Sequence, residues 1–182
     1  MSTDKIVEDI PKAINEHARA IGYVCILWAA MESRIDQLLA ALTPIDHDKI
    51  GEIFSANVDL REKLEIIKSA AFVRKPNDAW FKAVEELANK VDNSLRSERN
   101  RYVHDAWLDK AGEIVRRTKQ TTIKKPQAFK RELVTFTDTP VPVEKIWALC
   151  AAIREVEVMA TIYRLQYQGY LRESVTSPPK PP

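Results

Sequence analysis

The sequence predicts an all-α fold: a helical bundle of four to five helices, with a small β-hairpin inserted before the last helix. Three observations carry that expectation. Apolar residues recur at three-and-four spacing through long stretches of the chain, the period of an amphipathic helix. β-prone segments separated by polar, lysine-rich residues follow Trp107, before Pro140. At 182 residues, with 45% hydrophobic and 30% charged side chains, the chain suits one globular domain with a real core.

The elements follow in order. Residues 1–8 read as an N-terminal arm and 9–173 as the domain. Ile14, Ala18, Ile21, Cys25, Trp28, Ile35, Leu39 and Leu42 form the stripe of a long first helix, stopped by Thr43-Pro44. Gly22 is a place where it could bend. A short helix is expected over 46–55. The next begins near "NVDLREKLEIIKSAAFV", where Asp59 and Glu62 have capping-box spacing. "RKPND" at 74–78 breaks the chain, and from Asp78 a third long helix runs through Trp80, Val84, Leu87, Val91 and Leu95. "GEIVRRTKQTTI" and "ELVTFT" then predict a two-stranded hairpin, at about 108–138. "TPVPVEK" opens the last helix with Pro142 near its first turn. Its apolar face is Ile146, Leu149, Ile153, Val156, Ala160, Tyr163 and Tyr167. Residues 174–182, ending "PPKPP", are expected to be a disordered tail.

Composition narrows the function classes. None of the four glycines sits in a phosphate-cradling loop, which argues against nucleotide-loop folds. The longest weakly polar run, "AIGYVCILWAAM", falls short of the about 18–20 residues that span a bilayer. The N-terminus lacks the basic-then-apolar order of a secretion signal, so a cytoplasmic location is expected. Cys25 and Cys150 lie in apolar helical patterns and read as reduced core residues. No Cys/His grouping has metal-ligand spacing, and there is no Glu-x-x-His pair. The expected chemistry therefore uses neither metal nor cofactor.

Charge is uneven. From Arg96 to Arg131 eleven basic residues face only four acidic ones, although the whole chain is nearly neutral at +2. A basic sector on an acidic body suits a polyanion partner, and a solvated lysine-rich loop is the other reading. On the first helix, Glu32 occupies a stripe position unsuited to an apolar core. Either it pairs with a lysine or arginine, or it supports a site.

The densest chemistry lies in "RSERNRYVHDAW", residues 96–107. Metal-free RNA scission needs a base for the 2′-hydroxyl proton and an acid for the leaving 5′-oxygen. It also needs positive charge beside the phosphate. Histidine serves either proton role near neutral pH. Arginine offers a rigid fork of donors for phosphate oxygens, and fixed charge of this kind is often the largest catalytic term. Asn100 and His104, four apart, share a helix face, and Arg101 borders it. Arg99, five before His104, lies about 140° away around an ideal helix. One helix would not easily aim both at one small target, whereas two helices crossing at a twofold axis could.

Arg99-Asn100-Arg101-Tyr102-Val103-His104 resembles the Arg-x(4–6)-His signature of the HEPN superfamily, small all-helical domains common in prokaryotic toxins and defence proteins. The surroundings are similar as well: a first helix with Trp and Glu ("LWAAMESRIDQLL"), a "LREKLEIIKS" helix, then the motif late in a long helix. The resemblance covers most of residues 9–172, with the hairpin as an elaboration. It implies a homodimer whose two motifs share a cleft and cut RNA without metal, leaving a cyclic phosphate. By position, Arg99 would stabilise the phosphate, His104 would be acid or base, and Asn100 would support them. It also implies a toxin or antiphage role, with an antitoxin or defence-system protein as partner. One variant of the motif carries a tyrosine two residues past the histidine, where a partner nucleotidyltransferase modifies it. Ala106 stands there in this chain, so that control is not expected.

RNA would be gripped by the basic 110–131 region, including Arg116 and Arg117, with Arg96 and Arg101 as alternatives to Arg99 at the phosphate. Tyr102 and Trp107 would either stack on bases or pack the helix end against the hairpin. The competing function is a non-catalytic HEPN-like module that binds RNA, nucleotide or protein and dimerises. A plain dimerisation domain with a solvated charge run is the third reading.

Overall fold

The computed structural model describes residues 12–43, 57–124 and 131–176. Among these it holds four helices and a three-stranded antiparallel sheet inserted before the last one. Helix α1 spans Lys12–Leu42 and α2 spans Leu60–Arg74. Helix α3 is α-helical over Asp78–Asn89, π-helical over Lys90–Leu95 and α-helical again over Arg96–His104. Strands β1 (Ala106–Lys110), β2 (Glu113–Lys124) and β3 (Arg131–Pro140) follow, then α4 (Val143–Thr176). The expected arm, the 46–55 helix and the end of the tail lie outside the described residues; α4 itself continues to Thr176, past the expected boundary at 173.

Local chemistry sets the helix ends. Thr43 Oγ1 donates to the Leu39 carbonyl at 2.9 Å where α1 stops. Asp59 caps α2 by accepting from the Glu62 amide at 2.9 Å, half of the anticipated capping box. Asn77 does the same for Trp80 N, at 2.9 Å, at the start of α3. Beyond Pro142, α4 begins with the Lys145 amide donating to the Pro142 carbonyl.

The chain divides into two compact units. One comprises Ile26–Arg96 and Ala151–Pro182. Its core joins Trp28, Met31, Ile35 and Leu38 of α1 with Leu64 and Ile67 of α2, Trp80, Val84 and Val91 of α3, and Ile153, Val156 and Ala160 of α4. Charged ties hold its helices in register: Lys63 Nζ lies 2.7 Å from Asp36, and Lys90 reaches Glu155 at 2.8 Å. Glu157 is buried and is met by Arg154 and by Arg34.

The other unit comprises Met1–Cys25 and Ser97–Cys150 and holds the sheet. Here the expected α1 stripe is one residue out of register. The buried positions are His17, Ala20 and Val24, whereas Ala18 and Cys25 are exposed and Ile14 and Ile21 half-buried. A histidine in the core broke the apolar pattern: His17 is buried, with Nε2 2.8 Å from the Val141 carbonyl and its ring 5.7 Å from Trp107. Cys150 is buried, and burial pushes its thiol pKa up; Cys25 is not the core residue expected.

The insertion has three strands rather than two. The extra one, β1, contains Trp107, which the sequence places at the end of a helix. β1 turns into β2 through Ala111 and Gly112, both at positive φ (53° and 87°), as a two-residue hairpin turn requires. Asp109 Oδ1 accepts from the Gly112 amide at 2.8 Å and closes it.

Candidate functional site

The charged stretch closes α3, beyond a π-helical turn of the kind that recurs at functional sites. Arg99 Nη1 donates to Asn100 Oδ1 at 3.0 Å and lies 3.4 Å from His104 Nε2. The sequence-based view that one helix would not aim Arg99 and His104 at one target is therefore corrected. The long arginine side chain spans the angular gap, and His104 is the last helical residue, with no further turn in the way. Asn100 and His104 are exposed and Arg99 is half-buried, so the cluster is open to a large substrate.

A guanidinium only donates hydrogen bonds. A hydrogen bond from Arg99 to His104 Nε2 therefore uses a neutral ring with its lone pair on that nitrogen. That lone pair is what a general base requires.

The other expected site residues divide by what holds them. Arg101 is exposed and makes no ion pair among the described residues. Arg96 is tied to Asp92 at 2.8 Å, one turn earlier, and Arg61 approaches the same carboxylate at 3.8 Å. Arg116 has its Nε 3.4 Å from Asp105 and its guanidinium 5.6 Å from the Tyr102 ring centre. Arg117 makes a bidentate contact with Asp138, at 2.8 and 2.9 Å, and Lys110 joins the same carboxylate. These cations hold Asp138 well below the usual carboxylate range, and the same contact raises Arg117. Arg116 and Arg117, expected as phosphate contacts, thus each face an acid of the same unit, Asp105 and Asp138. In the rest of the basic region, the side chains of Lys124, Lys125, Lys130 and Arg131 lie outside the described residues.

The aromatic candidates are packing residues. Tyr102 is 4% exposed, and burial raises its phenol pKa. Trp107 is half-buried, its indole nitrogen donating to the Tyr102 carbonyl at 2.9 Å and its ring 6.0 Å from that of Tyr102. Of the two alternatives, their contacts match packing of the helix end against the sheet. Glu32 accepts from the Trp28 indole nitrogen at 2.8 Å, a neutral donor rather than the lysine or arginine considered.

Sequence reasoning missed Asp105 and Thr118. Asp105 Oδ2 accepts from Thr118 Oγ1 at 2.9 Å and faces Arg116, next to His104 in the chain. No periodicity marks such a contact, because it depends on strand pairing. A cleft of about 690 Å³ in the Ile26–Arg96 and Ala151–Pro182 unit, lined in part by Trp80, Tyr163, Gln166 and Tyr170, was also not foreseen.

Among the described residues no group of three or more His, Cys, Asp or Glu side chains is placed to hold a metal ion, and no helix is long and apolar enough to cross a membrane. Compared with protein-family models, with curated proteins and with solved structures, the chain matches none.

Proposed function

We propose that this chain is a metal-independent endoribonuclease of the HEPN type, acting as a homodimer on RNA. The observation that supports it is the contact of Arg99 with both Asn100 and His104 on an accessible helix end. In this reading His104 Nε2 takes the proton of the 2′-hydroxyl as that oxygen attacks phosphorus. The bond to the 5′-oxygen breaks, and that oxygen leaves with a proton from an acid. The products are a 2′,3′-cyclic phosphate and a 5′-hydroxyl. Arg99 swings from His104 to the phosphate oxygens as their charge grows.

One imidazole does not accept and release a proton within a single displacement, so a second acid is needed. A second copy supplies it as its own His104, which is the chemical reason for the dimer. Arg101 serves as the further phosphate contact, since its charge is not already committed to an acid among the described residues. A role as a toxin or antiphage effector, with an antitoxin or defence protein as partner, belongs to the same proposal.

The test is to incubate purified protein with mixed RNA in excess chelator and compare wild type with Arg99→Ala and His104→Ala. Wild type cleaves, and each variant loses about 100-fold or more of the rate, the usual contribution of a positioned acid or base. Equal RNA binding by all three proteins without cleavage would instead favour the non-catalytic binding module.

A further inference from the structure

We infer that Asp105 is a positioning residue for His104, held from the sheet by Thr118 and Arg116; the inference rests on the nuclease reading of the site. The His104 side chain is exposed, so its aim is set chiefly by the backbone that carries it. That backbone is fastened on both sides. Before it, Tyr102 is buried, its carbonyl accepts from the Trp107 indole, and its ring lies under the Arg116 guanidinium. After it, the Asp105 amide donates to the Arg101 carbonyl at 3.1 Å, closing the last turn of α3. The Asp105 carboxylate then accepts from Thr118 Oγ1 at 2.9 Å and lies 3.4 Å from Arg116 Nε. Arg116 therefore lies against the residues two before and one after His104, as a cation over one ring and beside one carboxylate.

The choice of residue is informative. A carboxylate just past a helix C-terminus meets the negative end of the macrodipole and is disfavoured there. A helix that only had to stop would be better served by glycine or asparagine. Asp105 gains its place through two partners on β2, Thr118 and Arg116, which set the angle at which the chain leaves His104. Both partners side with the sheet, and this gives the insertion a function: it fixes the direction of the imidazole toward Arg99. A catalytic group displaced by about 1 Å loses much of its effect, so a brace of this kind acts on turnover rather than on binding.

Thr118→Val, nearly isosteric, removes the hydroxyl donor, and Thr118→Ser restores it. The readouts are the ¹H–¹³C imidazole NMR signals of His104 and His17 and the kcat and KM of RNA cleavage. Thr118→Val is expected to move the His104 signals while His17, buried in the same unit, keeps its own as a control for folding. It lowers kcat about tenfold and changes KM by less than about twofold. Thr118→Ser returns both to wild type. Unmoved His104 signals in a folded Thr118→Val protein would overturn the brace, whatever the rate of cleavage. Should wild type leave RNA intact, the nuclease reading falls by itself, and the imidazole signals still decide for or against the brace.

Discussion

At the scale of single residues, what separates the arginines is whether an acid already holds them. The six arginines between 96 and 131 cannot be ranked from sequence, because each carries the same charge and reach. In the fold, Arg96 is bound to Asp92 and Arg117 to Asp138, and Arg116 lies beside Asp105, whereas Arg101 is exposed and makes no ion pair among the described residues. A phosphate contact made by Arg96 would first have to break an existing ion pair. Arg101→Ala is therefore expected to weaken RNA binding and to reduce the slope of log K against log salt by about one. Arg96→Ala should leave that slope nearly unchanged. Fluorescence anisotropy with a short RNA at several salt concentrations measures both.

At the scale of elements, periodic features were legible and cross-strand ones were not. The α2 start could be read from Asp59, because a cap and its amide lie three residues apart in the chain, and the α3 start from the break at residues 74–78. The apolar faces of α3 and α4 could be read for the same reason: Trp80, Val84, Leu87, Val91 and Leu95 are all buried, as are Ile146, Leu149, Ile153, Val156 and Ala160. The first half of α1 misled, since His17 fills a core position that a hydrophobic count assigns to a neighbour. β1 was hidden because Trp107 also suits a helix end, and its pairing with Arg116 becomes visible only in the sheet.

The sheet carries its own test. Arg117 and Asp138 are direct cross-strand partners, and Lys110 adds a third charge. Asp138 has a lowered folded-state pKa, so its stabilising effect is complete above its unfolded value of about 3.9. The effect is lost as pH falls from there toward the folded value. Asp138→Asn should therefore lower Tm at neutral pH and flatten the fall in Tm between about pH 4 and pH 2. Thermal unfolding followed by circular dichroism across that range checks the sign. The Trp107 indole contact belongs to the same scale: losing one such hydrogen bond in Trp107→Phe should cost about 1 kcal/mol, measured by urea unfolding.

At the scale of the whole molecule, the fold class was legible and the active assembly was not. Four helices and an inserted sheet follow from hydrophobic period and β-prone composition, both of which are local properties. The reason for a dimer has changed with the structure. One helix already brings Arg99 to His104, so the proposed dimer would serve to supply the acid rather than to solve a problem of helix geometry. The central claim concerns the bond broken and the group that takes the proton. It is tested most directly by mass spectrometry of the ends left on a short RNA of defined sequence, cut in the presence of chelator. The account predicts fragments ending in 2′,3′-cyclic phosphate and 5′-hydroxyl from wild type, and intact RNA from His104→Ala. Fragments with 3′-hydroxyl and 5′-phosphate ends, or the same cyclic products from His104→Ala, would contradict it.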